Sequence, residues 1–155
     1  MFISITLNRL GRSWSTRRIL WPAVFFLGIT LLLTWPLSSR MGDSIIYYSN
    51  DSLYFVWLVD WFRTSLLQLN VSPLWVPWLN YPEGYSLAYN EFSPAMVFMA
   101  WPFSILGGSV FAYNAAMIMA LSISGYGAYL WAYRLTANHR TAIIAGVVFA
   151  FNPYH

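Results

Sequence analysis

The sequence contains no cysteine and no lysine, and only 8% of its residues are charged. Without cysteine the chain can form no disulfide and no thiolate, so cysteine use does not indicate a redox compartment. A soluble domain covers its surface with about 25% charged residues. Because this chain has far fewer, the composition excludes an ordinary soluble domain and predicts a membrane protein.

Hydrophobic residues account for 59% of the chain and aromatic residues for 20%, including nine Trp and eleven Tyr. The mean hydropathy is +0.53. Trp and Tyr are enriched where membrane proteins meet the lipid–water boundary. We therefore predict that Trp75, Trp78 and Trp101 are interface anchors rather than a platform for a sugar ring.

The few charges are segregated along the chain. Every acidic residue lies between positions 43 and 91, and Arg63 is the one arginine inside that window. Arginine-rich segments stay in the cytoplasm by the positive-inside rule. The clusters on either side, the second of which includes His139, therefore predict a cytoplasmic N-terminus and an acidic segment on the outer side. The arginines of the clusters are Arg9, Arg12, Arg17, Arg18, Arg134 and Arg140.

Three apolar runs predict membrane-spanning helices, each of which needs about 20 residues. A cleaved signal peptide is the alternative for the first run, but its apolar core would be about 7–15 residues and would end in small residues. This run is longer and ends near Trp35, which favours an uncleaved anchor. The predicted segments are a cytoplasmic tail over 1–18, spans over 19–37, 109–133 and 141–154, and a cytoplasmic turn over 134–140.

The segment between the first two spans holds all the acids. Over 38–93 it is rich in aromatics and prolines, with an interfacial helix predicted over 51–69. The following apolar run, 94–106, is short and interrupted by Pro102. If it crossed the membrane, the arginines after the second span would lie outside. The positive-inside rule therefore favours a re-entrant or interfacial helix for 94–106.

The second and third spans are expected to pack against other helices. Ser122, Gly125 and Gly127 are small residues that predict close helix contact in the second span. The third apolar run stops at His155 with nothing to pack against. We therefore expect the chain to be the N-terminal part of a longer polytopic protein.

An ordered set of motifs runs through the acidic segment. An Asp is followed six residues later by Trp, four residues after that by a second Trp, and then by a YPxGxxL stretch and a Ser-Pro pair. These positions are Asp51, Trp57, Trp61, 81–87 and 93–94. The set, with "GAYLWAYRLTANHRTAIIAGVVFAFNPYH" after it, resembles the N-terminal part of GT-C-fold membrane glycosyltransferases. One departure is Asn90, which stands where the family pattern has a histidine.

The resemblance implies an all-α integral membrane fold in a prokaryotic cytoplasmic membrane. It also implies sugar transfer from a polyprenyl-phosphate-linked donor to an acceptor on the outer face. In such enzymes an Asp of the first outer loop acts as general base on the acceptor or helps hold a divalent metal ion, and that residue corresponds to Asp51. The family's donor site needs residues that this chain lacks, so the fragment alone is expected to be inactive.

Asp51 also has a structural interpretation. The residues from Ser49 to Ser52 lie where the predicted helix begins, and such residues cap free N–H groups. From the residues alone, capping and catalysis are equally supported, and both hold together if the helix start faces the site. From Asp51 to Asp60 a helix of about 3.6 residues per turn rotates by about two and a half turns. Asp60 is therefore expected on the opposite face, paired with Arg63.

Three further residues are secondary candidates. Asp43 is a second acid beside Asp51, with a solvated turn residue paired with Arg40 as the alternative. Asn90 and Glu91 are candidate substrate contacts, although acids before a helix also serve its N-terminus structurally. The sequence has no metal-spaced His cluster, no nucleotide-binding glycine loop and no Ser/His/Asp set. The resemblance implies a lipid-linked donor as partner beside the bilayer, and no nucleic acid is expected.

Two other functions compete with the enzyme. The first is a non-catalytic membrane scaffold or assembly subunit. The second is a transporter, which would place ionisable groups inside its spans near the midplane. No acid falls within a predicted span, which disfavours a transporter.

Overall fold

The computed structural model describes residues 16–45, 50–89 and 92–152, and the side chains of 16–19 are not described. These residues are mostly helical, which confirms the predicted helical class. The α-helices are α1 (Thr16–Leu33), α2 (Asn50–Thr64), α3 (Pro94–Thr136) and α4 (His139–Ala150). The shorter elements are a π-helical turn Ser65–Leu69, 3-10 turns Leu37–Ser39 and Leu87–Tyr89, and strands β1 (Trp75–Val76) and β2 (Tyr85–Ser86).

The all-α prediction did not include the small antiparallel hairpin that β1 and β2 form. Trp75 pairs with Ser86, and Val76 pairs with Tyr85. Alternation along a strand sends neighbouring side chains to opposite faces. The hairpin therefore buries Val76 while it leaves Trp75 exposed.

Among the described residues, α3 is the one helix that is both long and apolar enough to cross a membrane. It has 43 residues. The apolar part of α1, Leu20–Leu33, and helix α4 are shorter. Helix α1 stops at Leu33 rather than at 37, and α4 covers 139–150 rather than 141–154. Membrane crossing by these two segments stays a prediction.

Helix α3 is interrupted at Gly108, so the prediction that Pro102 breaks this run is wrong. Gly108 has φ 81° and ψ −179°, whereas Pro102 lies inside the helix. A residue with a Cβ atom rarely adopts that positive φ, which glycine reaches at no steric cost. Because proline has no backbone N–H, Pro102 cannot form the helical hydrogen bond to the carbonyl of Phe98. Helix α3 nevertheless continues across Pro102. The re-entrant course of 94–106 stays a prediction.

The described parts of 1–30 and 121–155 form one compact unit, and 31–120 form another. In the first unit, Phe26 of α1 is completely buried beside two glycines, Gly125 of α3 and Gly146 of α4. A Cβ atom on Gly125 would lie 2.6 Å from Phe26 Cδ1. The ring therefore fits between the helices only because these positions carry no side chain.

A polar contact also joins α1 to α3 in this unit. The Ser122 hydroxyl donates to Thr30 Oγ1 over 3.2 Å, and the Thr30 hydroxyl donates to the Phe26 carbonyl over 2.7 Å. Both hydroxyls are buried. The predicted close contacts at Ser122 and Gly125 are confirmed. The same prediction is wrong for Gly127, because a Cβ atom there would have no atom within 4 Å.

Gly125→Ala is expected to destabilise the protein by about 1–3 kcal/mol, because the new methyl group overpacks the site against Phe26. Gly127→Ala is the matched control, since it makes the same change in open space on the same helix. Thermal unfolding in detergent, followed by tryptophan fluorescence, measures the difference. Equal midpoints for the two variants would contradict the close packing around Phe26.

The unit formed by 31–120 has its core between α2, the hairpin and the first part of α3. Trp61 of α2 donates its indole N–H to the Pro73 carbonyl over 2.8 Å, and Phe62 stacks on Phe92 with ring centroids 5.4 Å apart. These contacts hold α2 and the loop that follows it in one core. The buried core residues are Leu58, Trp61, Phe62, Val76, Leu87 and Val97, next to a second cluster of Val59, Ala100, Ala112 and Ala116.

Candidate functional site

Asn114 of α3 binds the turn that carries Asp43. Its side chain is completely buried, and its Nδ2 donates to the carbonyls of Met41 and Ser44, each over 2.7 Å. A buried amide in an apolar helix is costly unless it is hydrogen-bonded, and these two bonds satisfy both of its N–H groups. Asp43 lies between the two acceptor residues and is exposed. The turn therefore presents the Asp43 carboxylate to solvent from a backbone that is tied to α3.

Tyr113, the neighbour of Asn114, contacts the start of α2. Its hydroxyl lies 3.5 Å from the Ser52 hydroxyl and donates to it, and both side chains are buried. Asp51 directly precedes Ser52 and is exposed. Two consecutive residues of α3 thus hold the segments of both candidate acids. The fold brings the segments that carry Asp43 and Asp51 to neighbouring residues of α3, and both acidic residues are exposed.

Asp51 lies in the first turn of α2, which begins at Asn50. It is inside the helix rather than at the capping position before it, and residue 49 lies outside the described residues. A carboxylate in the first turn is favoured by the helix dipole. No hydrogen bond or ion pair joins the Asp51 side chain to another residue that the structure describes. Its carboxylate is therefore accessible from solvent.

Asp60 lies elsewhere on α2 and has a partner. Its Oδ1 is 4.0 Å from the Arg63 guanidinium, and both side chains are substantially exposed. The predicted pair is confirmed, and an exposed pair of this kind contributes at most about 1 kcal/mol to stability. Asp43 forms no such pair with Arg40: instead its backbone N–H donates to the Arg40 carbonyl over 3.1 Å. The predicted alternative of an Asp43–Arg40 ion pair is therefore wrong, because the turn closes through its backbone.

Asn90 and Glu91, the candidate substrate contacts, lie outside the described residues. Within 16–45, 50–89 and 92–152, no three His, Cys, Asp or Glu side chains come together in a way that could hold a metal ion. The divalent metal that the family resemblance implies therefore stays a prediction. We derive no catalytic step from a metal.

His139 packs in an aromatic cluster at the start of α4. Its Nδ1 is 2.8 Å from the Tyr129 hydroxyl, and its ring stacks on Tyr133 with centroids 4.3 Å apart. Trp21 of α1 lies against both His139 and Tyr129. The predicted place of His139 in the cytoplasmic charge cluster, next to Arg140, stays a prediction.

Sequence reasoning missed Tyr113 and Asn114, which organise the candidate site. The available signal was Asn114 itself, an amide in the apolar run 109–133. A polar side chain there must find partners in the protein, so it marks a place where a loop or another helix is bound. No pattern in a single sequence identifies those partners, Met41 and Ser44.

No protein-family model, curated protein or solved structure matches this chain.

Proposed function

We propose that the chain is an integral membrane protein. Its helices expose large apolar side chains, whereas Thr30, Asn114 and Ser122 are buried and hydrogen-bonded. A soluble monomer rarely exposes so many large apolar side chains along its helices, because contiguous apolar surface in contact with water is unfavourable. In a lipid bilayer, these exposed apolar side chains contact acyl chains, so the free-energy cost of exposing them to water is absent. Helical residues more than half exposed include Val24, Leu32, Ile123, Trp131, Ile144 and Val148.

We further propose that this membrane protein is the N-terminal part of a GT-C-like glycosyltransferase, with Asp51 as its general base. An acceptor hydroxyl is a poor nucleophile, and a carboxylate within hydrogen-bond reach removes its proton during attack. The acceptor oxygen then bonds to the anomeric carbon of the sugar, and the polyprenyl phosphate leaves with the electrons of the broken C–O bond. A single displacement of this kind needs one base and inverts the configuration.

The observation that carries this proposal is the joint anchoring of the Asp43 and Asp51 segments by Tyr113 and Asn114. A general base needs an accessible carboxylate on a fixed backbone. Asp51 satisfies both conditions, whereas Asp60 is paired with Arg63. Asp43 is the second acid of the same site, and Asn90 and Glu91 are proposed to contact the substrate from the chain that follows the hairpin.

Sugar transfer by the complete gene product tests the proposal. Membranes that contain the protein are supplied with a panel of polyprenyl-phosphate sugars and an extract of outer-face acceptors, and membranes without it serve as the control. We expect protein-dependent transfer of one sugar, with inversion at its anomeric carbon. A folded, membrane-inserted protein that transfers no sugar from any donor would contradict the enzyme and support the scaffold.

A further inference from the structure

The β1–β2 hairpin buries aliphatic side chains and exposes aromatic ones. Val76 and Leu87 are completely buried in the core of the 31–120 unit. The neighbouring aromatic residues face outward, with Tyr81 exposed to 84%. The exposed residues, called the hairpin surface from here on, are Leu74, Trp75, Trp78, Leu79 and Tyr81.

The hairpin surface is held on a fixed scaffold. The Trp78 ring lies edge-on to the ring of buried Trp61, with centroids 4.8 Å apart. The Trp75 ring covers Gly84, where an added Cβ atom would lie 2.6 Å from Trp75 Cζ2. Gly84 also has a positive φ of 75°, so a side chain there is disfavoured twice. The indoles therefore remain on the outside while the core beneath them is filled.

The chemistry of this surface matches one kind of partner. From position 64 to position 89, Glu83 is the one charged residue. A surface without basic residues does not attract nucleic acid or another polyanion. Trp and Tyr combine an apolar ring with one polar N–H or O–H group, and this combination is favoured at the boundary between lipid headgroups and acyl chains. Uncharged aromatics beside leucines therefore fit a lipid bilayer better than a charged ligand.

We propose that the hairpin surface inserts into the headgroup–acyl boundary of the outer leaflet. This inference rests on the proposed membrane location of the chain, and it adds a second attachment outside the spanning helices. Because the hairpin and α2 share one core, insertion fixes the depth of α2. The start of α2, which carries Asp51, is then held at one depth relative to the outer leaflet. Trp101 lies outside this surface, since its indole N–H is buried inside the unit, and its predicted role as an interface anchor stays a prediction.

Site-specific labelling tests the insertion, and the absence of cysteine means that no native thiol has to be removed. Single cysteines replace Leu79 or Tyr81 on the hairpin surface, and Asp60 on the exposed face of α2 serves as the control. Each carries a fluorescent label in the complete protein, reconstituted in phosphatidylcholine vesicles. Nitroxide lipids quench labels in the bilayer, and aqueous iodide quenches labels in water. Two hairpin sites are used so that a folding defect in one variant leaves the other informative.

At Leu79→Cys and Tyr81→Cys, nitroxide lipid is expected to quench more strongly than iodide, with the order reversed at Asp60→Cys. Stronger quenching by iodide at both hairpin sites would overturn the inference, as would protection from both quenchers, which indicates a protein contact.

Carbonate extraction of the same vesicles separates the two proposals. A protein that resists extraction but carries a water-exposed hairpin refutes only the insertion. A protein that carbonate removes refutes the membrane location as well.

Discussion

Asp51→Asn is expected to lower sugar transfer by the complete gene product by about 10²–10⁴-fold, the usual contribution of a general base. The amide keeps the shape of the carboxylate but cannot take the acceptor proton. Because Asp51 is exposed and no hydrogen bond or ion pair joins it to another described residue, folding is expected to be nearly unaffected. Initial rates with saturating donor and acceptor measure the loss, and thermal unfolding in detergent checks the fold.

Asp60→Asn is the matched control for this prediction. It makes the same change on the same helix, but at a residue that pairs with Arg63 away from the proposed site. We expect its transfer rate to stay close to that of the unaltered protein. Asp43→Asn is expected to give a smaller loss than Asp51→Asn. Normal transfer by Asp51→Asn would remove Asp51 from the mechanism and leave Asp43 as the remaining acid of this site.

The second large effect is expected at Asn114. Asn114→Asp replaces the amide nitrogen, which donates to Met41 and Ser44, with an oxygen that repels both carbonyls. Each of these partly buried carbonyls costs up to about 1–3 kcal/mol when it loses its donor, and a buried charge without a partner adds to this. We therefore expect a loss of about 3–5 kcal/mol in the free energy of unfolding. Denaturation of the purified protein in detergent, with tryptophan fluorescence as readout, measures it.

Asn152→Asp provides the control, because Asn152 is exposed and its amide donates to the nearby Phe149 carbonyl over 3.1 Å. We expect its stability to change by less than about 1 kcal/mol, as is usual for exposed polar changes. Similar unfolding curves for Asn114→Asp and Asn152→Asp would show that Asn114 does not hold the 41–44 turn. The joint anchoring of Asp43 and Asp51 would then lose its support.

Much of the helical structure is accessible from the sequence alone because it depends on local patterns. The apolar run from 109 onward predicts a long helix, and Asp60 with Arg63 follows from helical spacing. The wrong prediction at Pro102 has a local cause as well. Pro102 removes one hydrogen bond without ending α3, whereas Gly108 interrupts it because glycine tolerates a positive φ. Both residues favour an interruption, and the sequence does not show which of them prevails.

The candidate site is harder to predict because it depends on contacts between distant parts of the chain. Asn114 binds residues about seventy positions earlier, and Tyr113 binds a residue sixty-one positions earlier. No periodicity encodes such a pairing. The packing of His139 in an aromatic cluster could not be predicted for the same reason, since Trp21 contacts it from another helix. Individual acids could be selected from the sequence, but their common attachment to α3 could not.

The central claim is that the acidic, tryptophan-rich segment lies outside while both arginine clusters face the cytoplasm. Single cysteines at Asp51 and at Arg134, introduced into a chain that has no native cysteine, test it in intact cells with a thiol reagent that does not cross membranes. The account predicts labelling at position 51 in intact cells and labelling at position 134 only after the membrane is permeabilised. Labelling of both positions in intact cells, or of neither before permeabilisation, would contradict it.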